Sequence, residues 1–156
     1  MKLRLNFLVP PPVPAVLPKG LELEVSSIKC RTREDTLRAA YAVLTKKYRG
    51  YRLRTVTRLL ELFDVDVAAL WAKNRFLHCT NLNYLLEIML LHSGKFSEAD
   101  IRFRWTTVNF LSPHQYMQIK LDDGQWVDAD LWGAVYGIEF GSHAHGFHSG
   151  SLTAKR

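Results

Sequence analysis

The run from Phe76 to Gly94 constrains this chain more than any other stretch. Leu82, Leu85, Leu86, Met89 and Leu90 recur at the spacing of one helical face, and Ile88 and Leu91 carry the apolar character round to the other side. A helix apolar over most of its circumference must be enclosed by other elements, so the segment predicts a buried central helix with the remaining chain packed around it. Thr80-Asn81 supplies a polar N-terminal boundary, and Gly94 is placed as the C-terminal cap. Cys79 then stands at the mouth of this helix. There the unpaired amides and the positive end of the dipole favour a thiolate, the reactive form of cysteine.

A chain of 156 residues predicts a single domain able to bury roughly 70% of its unfolded surface. Its 47% hydrophobic and 23% charged residues are ordinary for a globular protein and indicate disorder nowhere but at the ends. The net charge of +6 is scattered over several elements rather than gathered on one face, so nucleic acid is not the expected partner. Cys30 and Cys79 are the two cysteines, and without a secretory signature they predict a reduced, cytoplasmic setting; a Cys30–Cys79 disulfide would abolish the nucleophile. Met1 to Val9 imitates a signal peptide, but Pro10-Pro11-Pro12 breaks the apolar run, and no segment approaches the roughly 20 apolar residues of a membrane span. No membrane association is expected.

Residues 1–31 read as an arm. Leu3, Leu5 and Phe7 alternate with polar residues, predicting a short strand. Pro10 to Pro18 should be extended, and Leu21, Leu23 and Val25 alternate with Glu22 and Glu24 as in a second short strand. Residues 32–94 are helical. Thr32-Arg33-Glu34-Asp35 is a helix start continued by Leu37, Ala40, Tyr41, Leu44 and Tyr48 as far as Gly50; Thr55–Phe63 is a second helical pattern; Asp66 caps a third with Val67, Leu70 and Trp71. Over 99–140 the period becomes two. Ile101, Phe103 and Trp105 share one parity and Val108 and Phe110 the other, which predicts a bulge near Thr106-Thr107. Met117, Ile119 and Leu121 form the next strand, Asp122-Asp123-Gly124 a turn, and Trp126 to Trp132 a third strand, with Trp105, Trp126 and Trp132 expected in the core. Helices first and antiparallel strands after define an α+β chain.

The register of the last hairpin follows from its pattern. A two-residue Asp123-Gly124 turn would pair Ile119 with Asp128 and mix polar with apolar residues on each face. A three-residue loop with Gly124 in the left-handed region instead pairs Ile119 with Val127, Met117 with Ala129, Gln118 with Asp128 and Tyr116 with Asp130. His114 then lies diagonal to Asp130, within side-chain reach, and farther from Asp128.

A thiol at a helix start, with a histidine and an aspartate on adjacent strands, has the chemistry of a Cys-His-Asp triad. Cys79 would attack a carbonyl, His114 would take and return the proton, and Asp130, or less favourably Asp128, would hold the imidazole. Backbone amides near Cys79 are the first candidates for an oxyanion hole, with Trp71, His78 and Asn81 close in sequence. No cofactor is implied. His143, His145 and His148 cluster in the tail at 141–156, but without sulfur or carboxylate among them no metal site is assigned; the segment is an ordered loop near the site or a flexible tail.

Cys79 at an apolar helix start, the strand beginning His114-Gln115-Tyr116-Met117, and the segment Gly124-Gln125-Trp126-Val127-Asp128-Ala129-Asp130 together resemble the transglutaminase-like superfamily, from about Arg33 to Trp132. The resemblance implies a papain-like fold with Cys79 as nucleophile, His114 opening one strand and Asp130 closing a tryptophan-containing strand. It further implies a thioester on Cys79 and a peptide or protein amide as substrate. The superfamily holds cross-linkers, peptidases, deglycosylating amidases and inactive members, so hydrolysis, amine transfer and peptide binding without catalysis all stay open.

Overall fold

A computed structural model of the chain describes residues 10–28, 32–109 and 111–150. Among these the first half forms α1 (Lys19–Ser27), α2 (Arg33–Lys47), the short strand β1 (Tyr48–Arg49), α3 (Arg52–Thr57), a 3₁₀ turn at Leu59–Phe63 and α4 (Val67–Ala72). The second half contains β2 (Arg75–Phe76), α5 (Cys79–His92), β3 (Ile101–Val108), β4 (Ser112–Lys120), β5 (Trp126–Ala129) and α6 (Leu131–Ala134). The architecture is mixed α+β, with an antiparallel sheet in the order β3-β4-β5. Among the described residues no helix is long and apolar enough to cross a membrane.

Helix α5 is the centre of the core, and every residue from Asn81 to Leu90 is buried. α2, β4 and α6 pack on it, contributing Leu37, Ala40 and Leu44, Met117 and Ile119, and Leu131. Burying side chains of this size contributes about 1.5–3 kcal/mol each, which is why so apolar a helix recruits elements from both ends of the chain. Thr32 caps α2 by accepting the Asp35 amide at 3.1 Å, and Asp66 caps α4 by accepting that of Ala69 at 3.1 Å. Gly94, with φ of +74°, follows the end of α5.

Five sequence expectations are corrected. Leu21 to Val25 lies in helix α1 rather than in a strand: Leu21 and Val25, four apart, face the core, while Leu23 is 64% exposed. The Leu-Glu alternation satisfied period two, but burial follows the helical spacing. The helix expected to reach Gly50 stops at Lys47, because Tyr48–Arg49 turns extended to pair in parallel with Arg75–Phe76. Tyr48 nevertheless stays buried, donating its hydroxyl to the Leu70 and Trp71 carbonyls at 3.2 and 3.0 Å. No bulge interrupts β3, whose pairing with β4 is continuous from Ile101 opposite Ile119 to Val108 opposite Ser112. The parity switch is a change of neighbour: Ile101 joins the main core, whereas Val108 packs with Ile138 and Ala144, leaving Trp105 38% exposed rather than in the core. Finally, the strand expected over Trp126–Trp132 ends at Ala129, and Leu131–Ala134 is helical. The strand predicted at Leu3–Phe7 lies outside the described residues.

Residues 10–18 hold no helix or strand, bend at Ala15 and Val16, and lie against α5: Pro12 and Pro14 carbonyls accept from Tyr84 Oη at 3.0 Å and His92 Nε2 at 2.8 Å. The β4–β5 hairpin has the three-residue loop, with Met117 opposite Ala129, Gln118 opposite Asp128 and Ile119 opposite Val127. Gly124 adopts φ of +83° with open space where a Cβ would project. A Gly124→Ala variant should therefore suffer only the left-handed backbone penalty, losing about 1–2 kcal/mol of unfolding free energy with an unchanged denaturant slope in urea titration.

Candidate functional site

Asp130 leaves the sheet geometry after Ala129, at φ −114° and ψ 86°, and caps α6 by accepting the Gly133 amide on Oδ1 at 2.8 Å. Glycine at 133 permits this approach, since a Cβ there would sit 2.6 Å from the carboxylate. The other oxygen, Oδ2, accepts from His114 Nε2 at 2.8 Å and from the Ala144 amide at 2.9 Å. The carboxylate is thus held by three donors while only 1% exposed. Tyr41 donates its hydroxyl to the Asp130 carbonyl at 3.0 Å; burial, and then the charge of Asp130, push that phenol above its ordinary value.

His114 is the third residue of β4, directly opposite Thr106, and is 4% exposed. Its ring lies 5.5 Å from that of Trp132 and lines one cavity with the Cys79 side chain. With Nε2 engaged by Asp130, Nδ1 is the nitrogen left for the sulfur. Burial alone would lower the proton affinity of this imidazole. The hydrogen bond to Asp130 and the nearness of Cys79, reinforced by their charges, outweigh it and hold His114 well above its ordinary value.

Cys79 is the first residue of α5 and is half-buried, as a free thiol. The helix cap, His78, makes no side-chain bond to the first turn. Its ring is buried against Phe76 and bonded to the Arg58 carbonyl at 2.9 Å, and burial lowers its proton affinity. The Asn81 amide group donates to the Asp64 carbonyl at 2.9 Å, and Trp71 packs on Tyr48. None of Trp71, His78 and Asn81 lines the space in front of Cys79. The first-turn amides of α5 receive no side-chain cap. Cys30 lies outside the described residues.

Cys79 and His114 open on a cavity of about 160 Å³, walled in part by Arg52 and Val56 of α3, by Asn109 after β3, and by Trp132. Asp128, the other aspartate considered for His114, pairs instead with His143 Nδ1 at 2.7 Å, and the His143 ring stacks on Tyr116 at 3.8 Å. The described part of the histidine-containing tail lies against the site: Ala144 reaches Asp130, while Gly146 bonds Thr107 and Asn109 at 2.8 and 2.6 Å. Among the described residues no group of three His, Cys, Asp or Glu side chains is arranged to hold a metal. Arg52, Asn109 and the Ala144 amide were not singled out from sequence, since none belongs to a motif and their placement depends on contacts between distant segments. Comparison with family models, with curated proteins and with solved structures gives no match.

Replacing Asp130 by Asn should leave burial of His114 opposed only by the sulfur, so the imidazole should titrate lower by roughly 1–3 pH units in an NMR titration of its ring protons. A raised histidine stabilises the fold fully below its unfolded value, about 6.5, and that contribution fades as pH rises through the folded value. The stability difference between wild type and Asp130→Asn should accordingly be larger at pH 6 than at pH 9.

Proposed function

We propose that the chain is a transglutaminase-like cysteine enzyme of papain-like fold, cleaving or transferring an amide acyl group through a thioester on Cys79. The observation that carries this reading is the position of His114, bonded to the enclosed Asp130 carboxylate and lining one cavity with the thiol at the start of α5. In this reaction the Cys79 sulfur attacks the amide carbon, and the oxyanion is met by first-turn amides of α5 and the positive end of its dipole. Collapse of the adduct breaks the C–N bond, His114 delivers its proton to the leaving nitrogen, and the acyl group stays on sulfur as a thioester. Water or an amine then attacks with His114 as base, releasing acid or new amide and restoring the thiol. Asp130 keeps the imidazole in the orientation both steps need.

The expected substrate is an amide of a peptide or protein, and a reduced, cytoplasmic compartment is the setting in which the thiol stays available. A second reading, a non-catalytic module of the same fold that binds a peptide, draws on exposed apolar side chains of α3 and the turn after it: Leu53, Val56 and Leu60 are 77, 75 and 80% exposed, and Val56 lines the cavity. The two separate in the alkylation kinetics of Cys79. An activated thiol should react with iodoacetamide at pH 6.5 at least tenfold faster than an ordinary thiol of pKa about 8.5, and His114→Ala should remove that advantage. A wild-type rate no faster than free cysteine, unchanged by His114→Ala, would reject catalysis and favour the binding module.

A further inference from the structure

We propose that the α3 edge of the cleft is a docking surface for the substrate chain and takes an extended segment in which carboxylates are interspersed with aliphatic side chains; the inference rests on reading Cys79 as the nucleophile of a peptide amide. α3 and the 3₁₀ turn that follows it bury none of their residues. Leu53, Val56, Leu59 and Leu60 are all more than half exposed. Four aliphatic side chains open to water within eight residues exceed the single exposed hydrophobics scattered over any monomer's surface, and such a cluster marks a contact face. Leu53 and Val56, three apart, share one side of α3, and Val56 also walls the cavity on which Cys79 and His114 open. The apolar face therefore continues into the candidate active site.

The charge beside this face has one sign. Residues 46–60 hold six Lys and Arg side chains and no carboxylate. Arg49 and Arg54 are exposed, and the Arg54 guanidinium lies 5.0 Å from the Tyr51 ring centroid, an aromatic contact that orients a cation without neutralising it. Arg58, four residues on from Arg54, pairs with Glu61 at 3.2 Å while half of the arginine side chain stays exposed. A solvated pair of this kind is weak, so a ligand carboxylate can replace it. Aliphatic side chains edged by guanidinium groups complement a segment that carries both aliphatic and acidic residues. The geometry favours a single extended chain over a bilayer or a nucleic-acid duplex, because the face runs into a cavity of about 160 Å³ that admits part of one chain and neither of the larger bodies.

Cys79 itself can report the docking. The probes are two hexapeptides with an N-terminal iodoacetyl group, one alternating leucine with glutamate and the other leucine with lysine; each spans roughly 20 Å when extended, enough to run from the cavity along α3. Every alkylation rate of the full chain is referred to free cysteine, which cancels the reagent's own reactivity, and to iodoacetamide on the same variant, which cancels thiol activation. The glutamate probe should react about tenfold faster than the lysine probe with the wild type, and the difference should shrink as ionic strength rises. Arg54→Glu should slow the glutamate probe and speed the lysine probe, a crossed response that mere loosening of α3 does not produce. Leu60→Ser should slow both probes several-fold. Equal rates for the two probes, unchanged in both variants while iodoacetamide stays fast, would overturn the docking surface and leave the nucleophile standing. Slow reaction of every reagent with the wild type would overturn both. Co-sedimentation with phosphatidylserine vesicles, without any preference between the probes, would assign the face to a membrane and overturn the peptide.

Discussion

A carboxylate removed from water loses hydration worth several kcal/mol, and it stays charged inside a protein only when donors replace what water supplied. Asp130 meets that requirement with three donors from three segments: the imidazole of His114 on β4, the amide of Gly133 in α6 and the amide of Ala144 in the tail. Removing any one of them would leave the charge under-compensated, so the strand, the short helix and the tail are bound to a common geometry. That geometry also aims His114. The imidazole is bonded to a fixed anion and shares a cavity with the sulfur at the start of α5, and α5 is itself held by burial along nearly its whole length.

The same enclosure shapes how the protein responds to pH. His114 binds its proton more tightly in the fold than in the unfolded chain. Glu87, buried in α5 and facing the charge of Glu98, does likewise, its value pushed up to about 7 by burial first and that repulsion second. Groups of this kind make the folded state the better proton binder, and stability then declines as pH rises. For Glu87 the decline begins above its unfolded value, about 4.5, and is complete near 7. His78 acts in the opposite sense, since burial lowers its value and keeping it neutral favours the fold as pH rises through the ordinary histidine range. The acidic member of this set sits on the central helix, where apolar packing offsets its unfavourable burial.

What sequence pattern revealed of this site was local, and what it missed was not. The β4–β5 register was legible because turn length and strand parity are set within about a dozen neighbouring residues, and a wrong register would have mixed Ile119 with Asp128. The caps at Thr32 and Asp66 were legible for the same reason. Leu21 to Val25 misled because two periods fit so short a run, and only the packing against α5 selects the helical one. Trp126–Trp132 misled because Asp130 both ends a strand and caps a four-residue helix too short to display a period. Arg52 is held by a contact that spans 97 residues, and the Ala144 amide by one that spans 14 residues of irregular backbone, and no periodic pattern contains either.

Asp128 and Asp130, two apart in sequence, each pair with a histidine, and exposure separates their roles. The Asp130–His114 side chains are 1% and 5% exposed, those of Asp128 and His143 19% and 24%. A solvated pair is worth about 0–1 kcal/mol by itself, so the outer pair contributes mainly through what it positions. His143 immediately precedes Ala144, whose amide is the third donor to Asp130, and its stacking on Tyr116 fixes the tail on one side while Gly146 fixes it on the other. The outer pair therefore sets the donor that completes the inner one. A weak, wet interaction acquires its importance from the dry carboxylate it serves.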